Sequence, residues 1–313
     1  MVEPLFADVV GQRLAVQLLT AALQQQRLAP AYLFCGPEGV GRSLVARRFI
    51  EAICGGGLAG DDSLRRRLRE GNHPDLLVVE PTYTEKGERL TVSQAKQAGL
   101  QKKALPQVRL EQIRELTAFL GRPPLEAPRA VVLLDGAEWM AEAAANALLK
   151  TLEEPGLGLL VLLTAAPERL LSTIHSRCQR IPFTPLQPEQ LQAVLGEGPA
   201  EDGELHELAA GSPGALLEWR RRWQELPPEL LAQLQKQPES ALQALGLARD
   251  LSEALDTEQQ LWLLQWWQLK LWRSGGSAAC IARLERLRRQ LKGHVQPRLA
   301  WEVALLDLLP AMG

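Results

Sequence analysis

In the first 185 positions, apolar residues gather into short unbroken runs separated by longer stretches of helical spacing. Ala31-Tyr-Leu-Phe-Cys35, Leu76-Leu-Val-Val-Glu80, Ala130-Val-Val-Leu-Leu134 and Leu159 to Thr164 have strand length. The unbroken apolar character of Ala130 to Leu134 predicts burial on both faces. Between them, Gly11 to Gln26 places Leu14, Leu18, Leu19 and Ala22 on one helical face, and Ser43 to Cys54 and Leu110 to Leu120 also read as helices. Ala141 to Leu152 is rich in the best helix formers and is stopped by Glu154-Pro155-Gly156. Arg180-Ile-Pro-Phe183 reads as a fifth, short strand, and Pro182 assigns it to an edge or an end of the sheet. Strands alternating with helices predict a parallel five-stranded sheet with helices on both faces. The polar stretch Tyr83 to Gln107 shows no such run and is expected to loop out.

After Pro185 the strand signals stop, and Leu/Ala/Gln-rich helical segments run to the end. Seven of the eight Trp (Trp219, Trp223, Trp262, Trp266, Trp267, Trp272 and Trp301) lie in this half. That asymmetry predicts a separate all-helical region, with a further cut at Leu226-Pro-Pro228.

A chain of 313 residues suits two or three domains and can bury a sizeable core without disulfides or metals. Thirty-five Lys and Arg against 37 Asp and Glu give a net charge of −2, so any contact with nucleic acid must be a local patch. Cys35, Cys54, Cys178 and Cys280 are far apart and form no CxxC pair, which predicts buried thiols and no metal site. The start, MVEPLFADVV, has no basic stretch before an apolar run, and no segment offers about 18 consecutive apolar residues. The expected location is the cytoplasm, with no membrane contact.

Gly36-Pro-Glu-Gly39-Val-Gly41-Arg42-Ser43 follows a predicted strand and opens a predicted helix. In that setting backbone N–H groups and a helix N-terminus converge on phosphate oxygens. The P-loop spacing is kept, but Arg42 stands where the motif has Lys. Arg keeps the charge, yet its planar fork is bulkier than an ammonium, so nucleotide binding stays open. Asp135 ends the third long strand, where a carboxylate would hold Mg²⁺. The next residue is Gly136, and Glu138 comes two positions too late to activate water there. Lacking a general base costs roughly 10²- to 10⁴-fold in rate.

Ala143-Ala-Ala-Asn146-Ala-Leu-Leu-Lys150-Thr-Leu-Glu-Glu154-Pro resembles the signature helix of bacterial DNA polymerase III clamp-loader subunits, and Ser176-Arg177-Cys178 resembles their SRC motif. Phe6-Ala-Asp-Val-Val-Gly11-Gln12 and Pro297-Arg-Leu-Ala-Trp-Glu302 are similar to that family's two ends, so the likeness spans nearly the whole chain. It implies an AAA+ P-loop core (1–184), a small helical lid (185–225) and a helical collar (226–313) that joins subunits into a ring. Arg42, Gly136 and Gly214 depart from the ATP-hydrolysing gamma/tau type and favour the non-hydrolysing delta-prime branch. The third lies in Gly211-Ser-Pro-Gly214, where hydrolysing relatives carry a phosphate-sensing Arg.

The same resemblance implies a degenerate nucleotide site of Gly36, Gly39, Gly41, Arg42, Ser43, Asp135 and Thr164, where ATP and Mg²⁺ are bound idly or not at all. Thr164 would be a polar sensor, or would only cap the next turn. Relatives with a four-Cys zinc module carry it after the P-loop helix; here only Cys54 is present, so no zinc is expected. Arg177 would act in trans on a neighbour's ATP. The implied partners are gamma/tau-type ATPase subunits, a delta subunit, the sliding clamp and primed DNA. The alternative is a working ATPase of the gamma/tau type. Leu261 to Trp272 fits a collar helix or ordinary core packing. The basic runs Arg65–Arg67, Arg220–Arg222 and Arg286–Lys292 are candidate DNA contacts or solvated helix faces.

Overall fold

The computed structural model describes residues 4–85, 88–98, 105–154, 156–196, 203–236, 238–293 and 295–309. Its apolar runs become the strands expected of them. The order along the first part is α1 (Arg13–Gln24), β1 (Ala31–Cys35), α2 (Arg42–Glu51), α3 (Asp62–Arg69), β2 (Leu76–Val79), β3 (Thr82–Glu85) and β4 (Glu88–Thr91). There follow α4 (Val92–Gln97), α5 (Leu110–Leu120), β5 (Val131–Leu134), α6 (Glu142–Glu153), β6 (Leu159–Thr164), α7 (Ser172–His175) and β7 (Gln179–Pro182). The rest is helical: α8 (Pro188–Leu195), α9 (Gly203–Ala209), α10 (Pro213–Glu225), α11 (Pro228–Lys236), α12 (Ala241–Ala254), α13 (Thr257–Arg273), α14 (Ala278–Lys292) and α15 (Pro297–Leu308).

The chain divides into two compact units, Met1–Ser93 with Pro106–Leu217, and Gln94–Leu105 with Glu218–Gly313. The first holds a five-stranded sheet in the order β2-β5-β6-β1-β7, every pair parallel. Because β1 and β6 lie inside it, every residue of both is buried. Strand β1 shows how the two faces are filled. Tyr32 and Phe34 join Leu19, Val45 and Phe49 on one side. Leu33 and Cys35 join Ile113, Leu116 and Leu148 on the other. Asp75, just before β2, accepts hydrogen bonds from the backbone N–H of Leu125, Glu126 and Ala127, each at 2.7 Å. These three bonds outweigh the effect of burial and hold its carboxyl below the usual range.

The stretch 83–107 differs from expectation. Strands β3 and β4 pair in antiparallel register, Tyr83 is buried, and Thr82 and Gln107 exchange backbone hydrogen bonds of 2.9 and 3.0 Å. Its polar composition hid this, because each strand finds its partner in the other rather than in the main sheet. Residues 99–104 of the stretch lie outside the described ones. Between α2 and α3, where the resemblance places a metal module in relatives, the fastening is ionic. The buried Glu51 accepts from Arg65 at 2.8 Å, Arg48 at 3.3 Å and the N–H of Asp61 at 2.8 Å. Nearby Cys54 is buried, and its thiol is pushed up to about 12 by desolvation and the Asp75 charge.

In the second unit, the Trp residues divide between core and surface. Trp267 stacks on Trp301 at 6.3 Å, and Trp301 Nε1 donates to Gln260 Oε1 at 3.0 Å. Trp262 packs against Trp219 at 4.3 Å, whereas Trp272 is 71% exposed. Glu218 accepts from Lys96, Arg221 and Arg222. Burial opposes those bonds, but together they hold its carboxyl far below the ordinary value. In both units, members of the basic runs pair with acids. Arg65 pairs with Glu51 and Asp62, Arg67 with Glu126, Arg221 with Glu218 and Glu225, and Arg288 with Glu285.

Candidate functional site

The loop 36–43 leaves β1 at the C-terminal edge of the sheet and enters α2, so its N–H groups and the helix N-terminus face the same space. Gly39 and Gly41 have φ of +74° and +106°, which side-chain-bearing residues rarely adopt. Gly36 is needed for a different reason: a Cβ there would lie 2.5 Å from the Phe183 carbonyl oxygen. Its N–H donates to Thr164 O at 3.3 Å, fastening the loop to the end of β6.

Arg42 is the first residue of α2, and it turns inward. It is only 8% exposed, and its Nη1 is buried with no hydrogen-bond partner among the described residues. Its charge is felt by Asp135, whose carboxyl is nonetheless raised, first by burial and then by Glu80 and Glu138. A buried guanidinium nitrogen with no acceptor fits an anion such as a phosphate. Gly39, Gly41, Arg42, Ser43 and Asp135 are thus compatible with a nucleotide and its metal ion.

Two positions beside this site, Gly136 and Gly214, are closely crowded by their neighbours. Gly136 has φ +70°, and a Cβ on it would meet Pro81 Cγ at 2.9 Å and Trp139 Cδ1 at 3.0 Å. No side chain fits there without moving both. Glu138 is spent elsewhere: its Oε1 accepts from Ala165 N at 3.0 Å, and its Oε2 is buried without a partner among the described residues. Gly214 touches the loop backbone to backbone, its N–H donating to Gly39 O at 2.9 Å. A Cβ on Gly214 would lie 2.8 Å from Gly39 Cα, and one on Gly39 would lie 2.3 Å from Ala215 N. Thr164 is fully buried, and its Oγ1 accepts from Ala166 N at 3.2 Å, the turn-capping geometry.

Arg177 stands at the opposite end of the sheet. Cys35, which opens the loop, is in register with Pro182, and Arg177 precedes Pro182 by five residues. Strand β7 begins only at Gln179, so Arg177 lies in the turn before its first residue, at the strand end away from the loop. The partner of Arg177 is 24 residues away in sequence. Nη2 donates to Glu153 Oε1 at 2.8 Å, with side-chain exposures of 35% and 52%, and Nη1 donates to Thr173 O at 3.1 Å. Glu153 comes from the end of α6, so the signature helix and the SRC-like segment meet at this salt bridge. Cys178 beside it is largely buried, its thiol pushed up to about 12 by desolvation.

A Gly-rich loop between β1 and α2, in a parallel sheet of order β2-β5-β6-β1-β7 followed by helices, defines a P-loop module of the AAA+ class. The family model described as "DNA polymerase III, delta subunit" matches residues 11–187, and that described as "Cyanobacterial DNA polymerase III delta prime, C-terminal domain" matches 189–308. The chain belongs to the DNA polymerase III delta/delta-prime family. It is 35% identical over 189 residues to DNA polymerase III subunit delta' of Bacillus subtilis strain 168, an alignment covering 58% of this chain and 50% of that protein. With subunit delta' of Pseudomonas aeruginosa PAO1 it shares 36% over 196 residues, covering 59% and 54% respectively. The chain thus spans about half the length of the curated relatives it matches. A gamma subunit-related protein of Thermotoga maritima shares the fold, with a TM-score of 0.52, 18% identity and coverage of 93% and 97% of the two chains. No helix among the described residues is long and apolar enough to cross a membrane.

Proposed function

We propose that this chain is a clamp-loader subunit that does not turn over ATP itself and lends Arg177 to the ATP site of a neighbouring gamma/tau-type subunit. A delta subunit, the sliding clamp and primed DNA are the other partners of the assembly. The observation that carries the reading is the crowding at Gly136 and Gly214, which closes the chain's own site to a catalytic base and a sensor arginine. Arg177 has the opposite character: half-exposed, always charged, and held by a surface ion pair and local hydrogen bonds within its own turn. In the ring its guanidinium would stabilise charge developing on the transferring phosphoryl group, a contribution of roughly 10³ to 10⁵ in rate. That site is complete only when subunits stack, so hydrolysis is coupled to assembly.

At its own loop, the N–H groups of 39–43, Arg42 and the Ser43 hydroxyl would hold phosphates, with Asp135 toward Mg²⁺. The bound nucleotide would supply charge and bulk that order the loop, and the unpartnered Arg42 Nη1 favours such occupancy. The division into core (1–184), lid (185–225) and collar (226–313) belongs to the same reading. Exposed Leu242 on α12 and Leu299, Val303 and Leu306 on α15 supply the apolar surface a collar needs.

The deciding experiment reconstitutes the complex from this chain, gamma/tau-type subunit, delta, clamp and primed DNA. ATP hydrolysis and clamp loading are timed with the wild type and with Arg177→Ala. Normal assembly with lost loading supports the reading; unchanged loading sinks it. The ATPase alternative is tested on the isolated chain: Mg²⁺-dependent turnover near 1 per second, abolished by Asp135→Ala, would establish it.

A further inference from the structure

Strand β2 is the outer strand of the main sheet, and among the described residues no strand pairs with its outer side. Val131 N donates to Asp75 O and Asp135 N to Val79 O, so residues 75, 77 and 79 direct their backbone groups toward β5. The N–H and C=O of Val78 therefore point away from the sheet, and neither has a partner among the described residues. Val78 is itself 37% exposed. Native proteins blunt such edges with charge, Pro or a covering element, and a bare one is a template for another strand.

A cavity of about 170 Å³ adjoins this edge, bounded by α2, α3 and β2. Its floor is aliphatic, formed by Leu44, Leu68, Leu76, Val78 and Leu133. Arginines 47, 48, 65 and 69 surround it. Arg48 and Arg65 are committed to Asp8 and Glu51, which leaves Glu51 no spare acceptor toward the cavity. Arg47 and Arg69 are exposed and have no acidic partner among the described residues. Open backbone groups, an aliphatic floor and two uncompensated cations thus lie side by side. Each selects a different part of one ligand: an extended main chain, an aliphatic side chain and flanking carboxylates.

We propose that the β2 edge is a docking site for an extended acidic peptide, which pairs with Val78, sets an aliphatic side chain in the trough and carries carboxylates to Arg47 and Arg69. The partner is another protein's acidic, Leu- or Ile-containing segment. The site is independent of the P-loop and of Arg177. The cavity holds about one or two such side chains at protein packing density, so the recognised segment is short.

The test pans the full chain against a phage-displayed library of random decamers and measures the selected peptides, labelled with fluorescein, by anisotropy. Selected sequences are expected to place Leu, Ile or Val between Asp or Glu residues. Binding should weaken at least tenfold with Arg47→Glu/Arg69→Glu and again with Val78→Pro, which removes the outward N–H. Thermal melts confirm folding; if Val78→Pro melts early, Val78→Lys, which blunts the edge without touching the backbone, takes its place. Selection of neutral or basic peptides, or binding indifferent to these variants, overturns the proposal. So does an empty selection. Tight binding of a labelled single-stranded oligonucleotide that Arg47→Glu/Arg69→Glu abolishes, with no peptide selected, would reassign the arginines to phosphate.

Discussion

The two ends of the core sheet carry the same kinds of residue and use them in opposite ways. At the P-loop end, a buried arginine nitrogen lacks an acceptor, a half-buried carboxylate is pushed toward its neutral form, and two glycines are hemmed in by neighbouring atoms. At the other end, Arg177 is half-exposed and paired, and Asp75 is buried but saturated by three N–H groups that favour its charge. The contrast shows that a charged residue's work depends on what its surroundings leave undone. One end turns its charge inward toward the loop; the other presents charge outward, as the proposed role in trans requires.

The largest test of this contrast is Arg177→Ala in the reconstituted complex. It should lower hydrolysis at the completed neighbouring site by about 10³-fold while size-exclusion chromatography still shows the ring. Arg177→Lys should recover little, because an ammonium lacks the guanidinium fork. At the opposite end, Gly136→Glu should fail to create an ATPase and should cost about 2–4 kcal/mol by urea denaturation. A left-handed backbone and overpacking against Pro81 each contribute to that loss. If the variant gains turnover instead, the site was only missing a base.

Asp75→Asn should destabilise by about 1–3 kcal/mol at pH 7, since an amide cannot accept as well from three N–H groups. The carboxyl's value is lowered on folding, so its contribution is full above about 3.9, the unfolded value, and fades as pH falls below that. The variant and wild type should converge in acid. Asp135→Asn should behave with the opposite sign. Its folded value is raised, so ionisation works against folding as pH rises above about 3.9, and the neutral variant should match or exceed wild-type stability at pH 7. Paired melts across pH measure both. The smallest effect is expected from Glu153→Ala, which frees the Arg177 guanidinium from a surface pair worth under about 1 kcal/mol. Loading should rise by no more than about fivefold.

Much of the first unit was legible because its signals are local. The strand around Phe34 is apolar at every position, and the loop after it keeps a fixed Gly spacing. The all-helical second region, set off by its Trp, was equally plain. The rest depended on partners far along the chain. Pro81 crowds Gly136 from 55 residues away, Gly39 meets Gly214 across 175, and Glu153 reaches Arg177 across 24. No periodicity records such pairings. The β3–β4 hairpin had a signal that polarity outweighed, since Thr82-Tyr-Thr is a favourable strand sequence. Arg42 was noted as a substitution, but its burial was not foreseeable from the motif.

The contact between Gly39 and Gly214 bears on how the chain could change. Placing an arginine at 214 requires the loop at Gly39 to withdraw first, and a side chain at 39 requires the same of 214 and 215. Each single step sets the new Cβ against main-chain atoms, which cannot rotate away as a flexible side chain would. A third change, at Gly136, is blocked separately by Pro81. On the proposed reading, ATP hydrolysis is therefore out of reach of single substitutions at these positions. Random mutagenesis selecting for ATPase activity should recover it only from combined changes that also reposition the 211–215 turn.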